Sequence, residues 1–320
     1  GGNAGLRLPY FPAVGVALRP VCFIVHGELE KGIIMQQGYL ARSWAAVTST
    51  PHWMGKISVL ALVSLIPIFG QIVVAGYLWG WARDAAWGVD APMPEHVFGN
   101  EDGHLYGRGF FAFAISIIAS FIPSAVSWLA AGAFGLSTLV ASDAVGQLPA
   151  IAGFGLVGAL ALGVAIFVLS VIIVPISWVA TMRMSVYTTF SSAFSLPRIW
   201  AMVRRDPVGL VTIFAMDILL SVGVSFVLGA IFVLIFILGI FLMAAMAVPF
   251  ADASSAAMAF VLMGAGFVVL AVLVGTAFAS AFGFVLVQAL VVRAVGYWTA
   301  RFDVALWRGQ SDPLPCEAVM

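Results

Sequence analysis

Asp217 is the side chain best placed to do chemistry in this chain. It is the one charge in the run Val208–Phe250, ten residues after Pro207, and so about 15 Å along a helix. A carboxylate at the centre of a bilayer is disfavoured by about 2.5–3.5 kcal/mol, and it faces protein or water rather than acyl chains. Ser221, Ser225 and Gly229 follow at four-residue steps, which reads as a polar and small stripe along one helix face, turned to the bundle interior. Such a stripe serves either as part of a path for a solute or proton, or as a helix contact with the carboxyl protonated or hydrogen-bonded. Gln71 and Gln288 are the other long polar side chains deep in apolar runs, and each reads as a path candidate or as a satisfied helix contact.

A second constellation is the segment DAPMPEHVFGNEDGHLYGR, which holds Asp90, Glu95, His96, Glu101, Asp102 and His104. Histidines and carboxylates in one short window can bind a divalent metal. Here His96 and His104 are separated by Gly99 and Gly103 at a spacing that matches no standard ligand set. No metal and no cofactor is therefore expected. The segment reads as a solvated interfacial loop in which Asn100, Glu101 and Asp102 favour a turn and a helix start. Cys22 and Cys316 stand near opposite ends and suit neither a metal cluster nor a disulfide framework. There is no Gly-x-Ser-x-Gly elbow, no His-Glu-x-x-His and no phosphate-binding glycine loop. Intramembrane acid–base chemistry needs at least two convergent titratable groups, and the apolar runs offer Asp217 almost alone. No catalytic residue is assigned, and an enzyme is not expected; a lipid-modifying activity at the 95–104 cluster is the weakest reading.

The elements that must position these residues are membrane helices. Of 320 residues, 63% are hydrophobic and 9% charged, with a mean hydropathy of +1.12. No soluble domain can bury so much apolar surface and still show water a polar face. The net charge is zero, and there is no basic patch to bind nucleic acid. A helix needs about 20 apolar residues to cross about 30 Å of hydrocarbon. Candidate spans are Ile57–Gly80, Gly109–Ala141, Pro149–Ala180, Val208–Phe250 and Ala256–Trp298. The last two are each about twice the necessary length, so each is a helical hairpin or one crossing that extends beyond the bilayer. The spans lack the alternation of barrel strands. The expected fold is an all-α polytopic transmembrane bundle with about five to seven membrane segments.

The first span is broken by Pro67 and Gly70. Ile57–Ile66 makes about 15 Å of helix and Ile68–Gly80 about 20 Å, so each reaches about half-way across. Basic residues flank both sides: Arg42 and Lys56 before, Arg83 and Arg108 after. These facts suit a proline-broken re-entrant hairpin, whose non-helical tip would need burial within protein; a Pro-kinked crossing is the alternative.

Arg183, Arg198, Arg204 and Arg205 place the segment 181–207 inside by the positive-inside rule. The segment 142–148 should be external and the C-terminal tail, with Arg293, Arg301 and Arg308, cytoplasmic. No cleavable signal peptide is visible. The expected location is a prokaryotic plasma (inner) membrane, with several passes. Two rows of small residues, Gly155–Ala159–Gly163 and Gly275–Ala279–Gly283, read as helix-packing stripes, with a homo-oligomer seam as the alternative. Trp79, Trp81, Trp87, Tyr297, Trp298 and Trp307 are expected in aromatic belts, and 298–307 as an interfacial helix.

Residues 1–34 precede the first Met, Met35, and Lys31-Gly32 must be encoded by a purine-rich tract of ribosome-binding type. Residues 1–34 are read as translated upstream sequence or as an N-terminal arm, and 35–320 as a single membrane domain. The order W-x-x-K, LIPIFG, GYLWGWARD, PMPEHVFGNEDGHLYGRGF and SVYTTFSSAFSLPRIWAMVRRDP resembles a prokaryotic family of uncharacterised membrane proteins, domain of unknown function 4013. The carrying residues are Trp53, Lys56, Pro67, Gly70, Gly76, Tyr77, Pro94, Gly107, Gly109, Ala193, Phe194 and Pro207, and the resemblance spans roughly 35–300. It implies a multi-helix bundle and no established activity. The leading expectation is a membrane scaffold or accessory subunit, with the lipid bilayer and a second copy or another membrane protein as partners. The alternative is a small-solute channel or carrier using Asp217 and the broken first span.

Overall fold

In lipid every backbone polar group must be satisfied within its own segment, so long apolar runs become helices. The structure, a computed structural model, describes residues 38–100, 103–141, 148–247, 255–302 and 304. Residues 1–34 and nearly all of the segment 142–148, expected to be external, lie outside the described residues. The helices are α1 (Tyr39–Thr48), α2 (Trp53–Ser64), α3 (Phe69–Ala86), α4 (Leu105–Ala141), α5 (Leu148–Tyr187), α6 (Leu196–Arg205), α7 (Pro207–Ala247) and α8 (Ser255–Ala300). A 3-10 helix, Phe190–Phe194, precedes α6. No strand occurs among the described residues.

Four stretches are long and apolar enough to cross a membrane: Leu105–Leu129, Ala161–Tyr187, Pro207–Ile237 and Gly266–Ala300. The protein is a multi-pass helical membrane protein. The two longest runs form single helices of 41 and 46 residues, about 60–70 Å each, rather than hairpins. They pack antiparallel. At one end the Trp298 indole N–H donates to the Asp206 carbonyl at 3.2 Å. Fifteen residues on from Gly209, which lies against Trp298, Val224 lies against Gly283.

The first span is a hairpin. Lys56 Nζ donates to the Met93 carbonyl at 2.9 Å, and the Tyr77 hydroxyl to the neighbouring Pro94 carbonyl at 2.7 Å. A straight helix would hold Lys56 and Tyr77 about 31 Å apart, too far for one dipeptide to receive both side chains. The chain therefore reverses over Leu65–Ile68. Ile68 takes a left-handed φ of 63°, and Gly70 presses on the Val63 carbonyl so closely that a Cβ would overlap it. The tip departs from expectation, since Leu65, Ile66, Ile68 and Phe69 are exposed. Its backbone is satisfied locally instead: the N–H groups of Leu65, Ile66, Phe69 and Gly70 donate to the carbonyls of Leu62, Val63, Pro67 and Ile66. Gln71 Nε2 donates to the Ser64 carbonyl at 3.1 Å, which caps α2.

Helix α3 is the centre of the molecule. Gly76 and Gly109 bring α3 and α4 into backbone contact, and Gly296 brings α8 against Ala82 and Ala85. Ser185 of α5 donates to the Trp79 carbonyl at 2.9 Å. Trp79, Trp81, Tyr297 and Trp298 are buried here, so they are core residues and not belt residues; Trp87 is half-buried and Trp307 is not described. Trp298 belongs to the last turn of α8, not to a separate interfacial helix.

In the second small-residue stripe Ala279 is half-buried and Gly283 is packed on α7. Gly283 touches Val224, but Gly275 and Gly163 have open space around them; the side-chain positions of Gly155 and Ala159 are outside the described residues. The difference within the second stripe is angular. Four residues turn 400°, so a four-residue row drifts about 40° per step and leaves any straight seam.

Candidate functional site

The described basic residues all gather at one end of the bundle, where α1–α3, α6 and the ends of the long helices meet. We call this end the root. Arg293 is its keystone. Two turns before the end of α8, in an apolar surrounding, its side chain is fully buried. Nη1 donates to the Trp81 carbonyl at 2.6 Å, Nη2 to the Ala91 carbonyl at 3.3 Å and Nε to the Tyr297 hydroxyl at 3.2 Å. The guanidinium lies 4.5 Å from the Trp81 ring. Asp90 stands 3.5 Å from Nη2 and also pairs with Arg42 at 3.0 Å. Arg42 in turn covers the Tyr297 ring at 3.9 Å. A buried charge is tolerable only when paired and hydrogen-bonded this fully. The network ties α1, α3, α8 and the loop after α3 into one body.

Two more arginines are buried nearby. Arg108 Nε donates to the Gly76 carbonyl at 2.9 Å, and its guanidinium fills the space where a Cβ on Gly80 would stand. Arg183 lies under α6, with Nη1 3.5 Å from the Met202 sulfur. Asp206 starts α7. Its Oδ1 accepts the Gly209 N–H at 3.0 Å, with Pro207 at the first helical position, which presets the helix. Asp206 also pairs with Arg301, which donates to the Tyr39 hydroxyl at 3.1 Å. Burial, the largest influence, raises the Tyr39 phenol above its ordinary value; Asp206 acts the same way and Arg301 against it.

Asp217 is half-buried and accepts a hydrogen bond from Ser221. The α7–α8 register sets it level with Leu290, one turn from Arg293 and so beside the charged layer. Its stripe does not face the interior. Leu220 and Val224 stay on the α8 seam with Asp217, at spacings of three and seven, whereas Ser221, Ser225 and Gly229 are exposed. The same 40° drift carries them out. Gln288 is half-buried on α8.

Two concave sites flank the loop after α3. A cavity of about 180 Å³ lies between α3 and the start of α4, lined by Tyr77, Trp81, Asp84, Leu105 and Arg108 among others. A groove of about 570 Å³ lies on the other side, against α2, with His52, Lys56, Val59, Glu95, His96 and Phe98 in its walls. Neither touches Asp217. Glu95 and His96 thus come together in the groove, while His104 is exposed just before α4. Glu101 and Asp102 are outside the described residues. Asn100 acts as read from sequence: its carbonyl accepts the Gly103 N–H, and its Oδ1 accepts the Leu105 N–H at 2.8 Å. Among the described residues, no group of three His, Cys, Asp or Glu could hold a metal.

Over residues 59–233, more than half of the chain, the sequence matches the family described as Protein of unknown function (DUF4013). The chain belongs to that family. No curated protein and no solved structure matches it. Most of the DUF4013 motif residues in this chain are packing devices of the root. Gly70 closes the hairpin, Gly76 and Gly109 form the α3–α4 crossing, Tyr77 holds Pro94, Ala193 is buried, and Pro207 opens α7. Trp53 and Lys56 precede the matched stretch. The sequence reading used Arg108, Arg183 and Arg293 only as orientation markers and missed their burial. The available signal was a cation set within an apolar run, LVVRAVGY, where a partner is obligatory.

Proposed function

We propose that this protein is a membrane scaffold or accessory subunit of a prokaryotic plasma membrane, and not an enzyme. The observation that carries this reading is the use made of the motif residues: they close glycine contacts and carbonyl hydrogen bonds inside the root. Above the root, the long helices hold out apolar faces, with Phe226, Phe236 and Phe267 exposed. Exposed apolar surface of this extent suits lipid and neighbouring membrane helices. The basic root reads as cytoplasmic by the positive-inside rule, which puts the C-terminus inside.

A photo-cross-linking residue at Phe226 tests the scaffold role in native membranes. A discrete protein adduct is expected, together with proteoliposomes that pass neither protons nor small solutes. A flux abolished by Asp217→Asn overturns the scaffold reading in favour of a carrier. A C-terminal reporter active only outside the membrane overturns the orientation.

A further inference from the structure

We propose that the groove between the start of α2 and the loop 95–99 seats the headgroup of a phosphatidylethanolamine-type phospholipid, with its phosphate on Lys56 and its ammonium on Glu95. The groove, about 570 Å³, falls in the range of small-molecule sites, about 300–1,000 Å³. Lys56 and Glu95 both line it, yet among the described residues no ion pair joins them. Opposite charges that share a groove without closing on each other match a zwitterion. Lys56 spends one N–H on the Met93 carbonyl, and an ammonium has three, so two remain for a phosphate. His52 and His96 line the same groove and add ring donors.

The lipid source follows from the walls. Val59 and Phe98 make the apolar part of the groove and are exposed. From Val59 an exposed apolar face continues along α2 to Leu62, three residues on and so on the same side, with exposed Leu65 and Ile66 just past the helix end. It ends at the exposed hairpin tip. An acyl chain lying on this track brings its headgroup to Lys56 and Glu95. Ethanolamine carries both a phosphate and an N–H-donating cation; serine carries them too, but adds a carboxylate that Glu95 repels. Choline has no N–H to give Glu95, and glycerol has no cation. Charge-assisted hydrogen bonds of this kind are the strong ones. The inference stands apart from the scaffold reading and survives its failure.

The test is native mass spectrometry of the full-length protein in detergent, titrated separately with dioleoyl-phosphatidylethanolamine, -phosphatidylcholine and -phosphatidylglycerol. Wild type is expected to bind the ethanolamine lipid about ten-fold tighter than the choline lipid, the scale of one hydrogen bond to a charged group. Glu95→Gln should remove that preference and leave phosphatidylglycerol binding unchanged. Lys56→Gln should weaken both the ethanolamine and glycerol lipids. Equal binding of ethanolamine and choline lipids to wild type, a wild-type preference for phosphatidylglycerol, or no change in Glu95→Gln each overturns the proposal. If Lys56→Gln fails to fold for want of its Met93 bond, the Glu95 arm decides alone, because that side chain is exposed.

Discussion

From Gly76 to Ala82 every residue of α3 is buried, whereas from Ser221 to Gly229 on α7 all but Val224 and Leu228 are exposed. The first stretch belongs to a hairpin too short to cross a bilayer. The second belongs to one of the most apolar helices in the chain. Hydropathy and burial therefore run in opposite senses. In water the most apolar segment would be the core. In lipid there is no hydrophobic drive to bring apolar helices together, so the core forms where small residues allow close backbone approach and polar groups find partners. The root has both: Gly70, Gly76, Gly109 and Gly296, and the arginines that hold carbonyls. The arms have neither along most of their length.

The comparison breaks most visibly at Arg293. Arg293→Met should cost about 3 kcal/mol, because it removes the buried cation's hydrogen bonds to the Trp81 carbonyl and the Tyr297 hydroxyl, each worth about 1.5 kcal/mol or more; Asp90 keeps Arg42, and the Ala91 carbonyl keeps the Trp81 indole N–H. Phe226→Ala on the arm should stay within about 0.5 kcal/mol. Unfolding in mixed detergent micelles measures both, and equal losses would erase the distinction between root and arm.

A smaller effect is expected at the glycines. A Cβ on Gly76 would overlap the Leu105 carbonyl, so Gly76→Ala should cost about 1–3 kcal/mol through forced separation of α3 and α4. Gly163→Ala meets open space and should be neutral or stabilise by up to about 1 kcal/mol through helix propensity. The same unfolding assay reads the pair, and a destabilised Gly163→Ala would mean the arm is packed after all.

Asp206→Ala should cost about 1 kcal/mol, the usual worth of a helix N-cap. Hydrogen exchange should show the loss in the first turn of α7 and not beyond Val224. The smallest effect concerns alkaline pH. Tyr39 has its pKa raised above 10.0, chiefly by burial, so the folded state favours the neutral phenol. That contribution is fully present below about pH 10 and is lost as pH rises through the folded value. Stability of wild type should decline above pH 10, and Tyr39→Phe should decline less, although it starts lower for want of the Arg301 hydrogen bond. Parallel alkaline curves would show that Tyr39 titrates as an ordinary tyrosine.

Much of the architecture was readable in particular residues. The lengths of the apolar runs gave the four long helices to within a few residues at most ends. Pro67 and Gly70 between two half-length helices, with cations on both flanks, pointed to the hairpin. The run that begins at Val208 started within one residue of α7, and Asn100 marked the approach to α4. Side-chain direction was less readable. The Asp217 stripe and the row Gly275–Ala279–Gly283 were drawn at four-residue spacing, and a real helix turns such a row by about 40° per step. The tryptophans of GYLWGW looked like belt residues because type and position along the chain do not report depth. The hairpin folds them inward.

By itself the sequence determined that the solvent is lipid, that the backbone is helical and where the first span breaks. These follow from length, composition and the missing N–H of proline, all of which act locally. Tertiary structure alone decided that the short hairpin arm is the core, that Arg293 and Asp90 meet across about two hundred residues, and that Lys56 and Glu95 share a groove. Such pairings depend on which helix faces cross and at what register. That is settled by the fit of glycine-sized gaps and buried donors across helices, which no single segment contains.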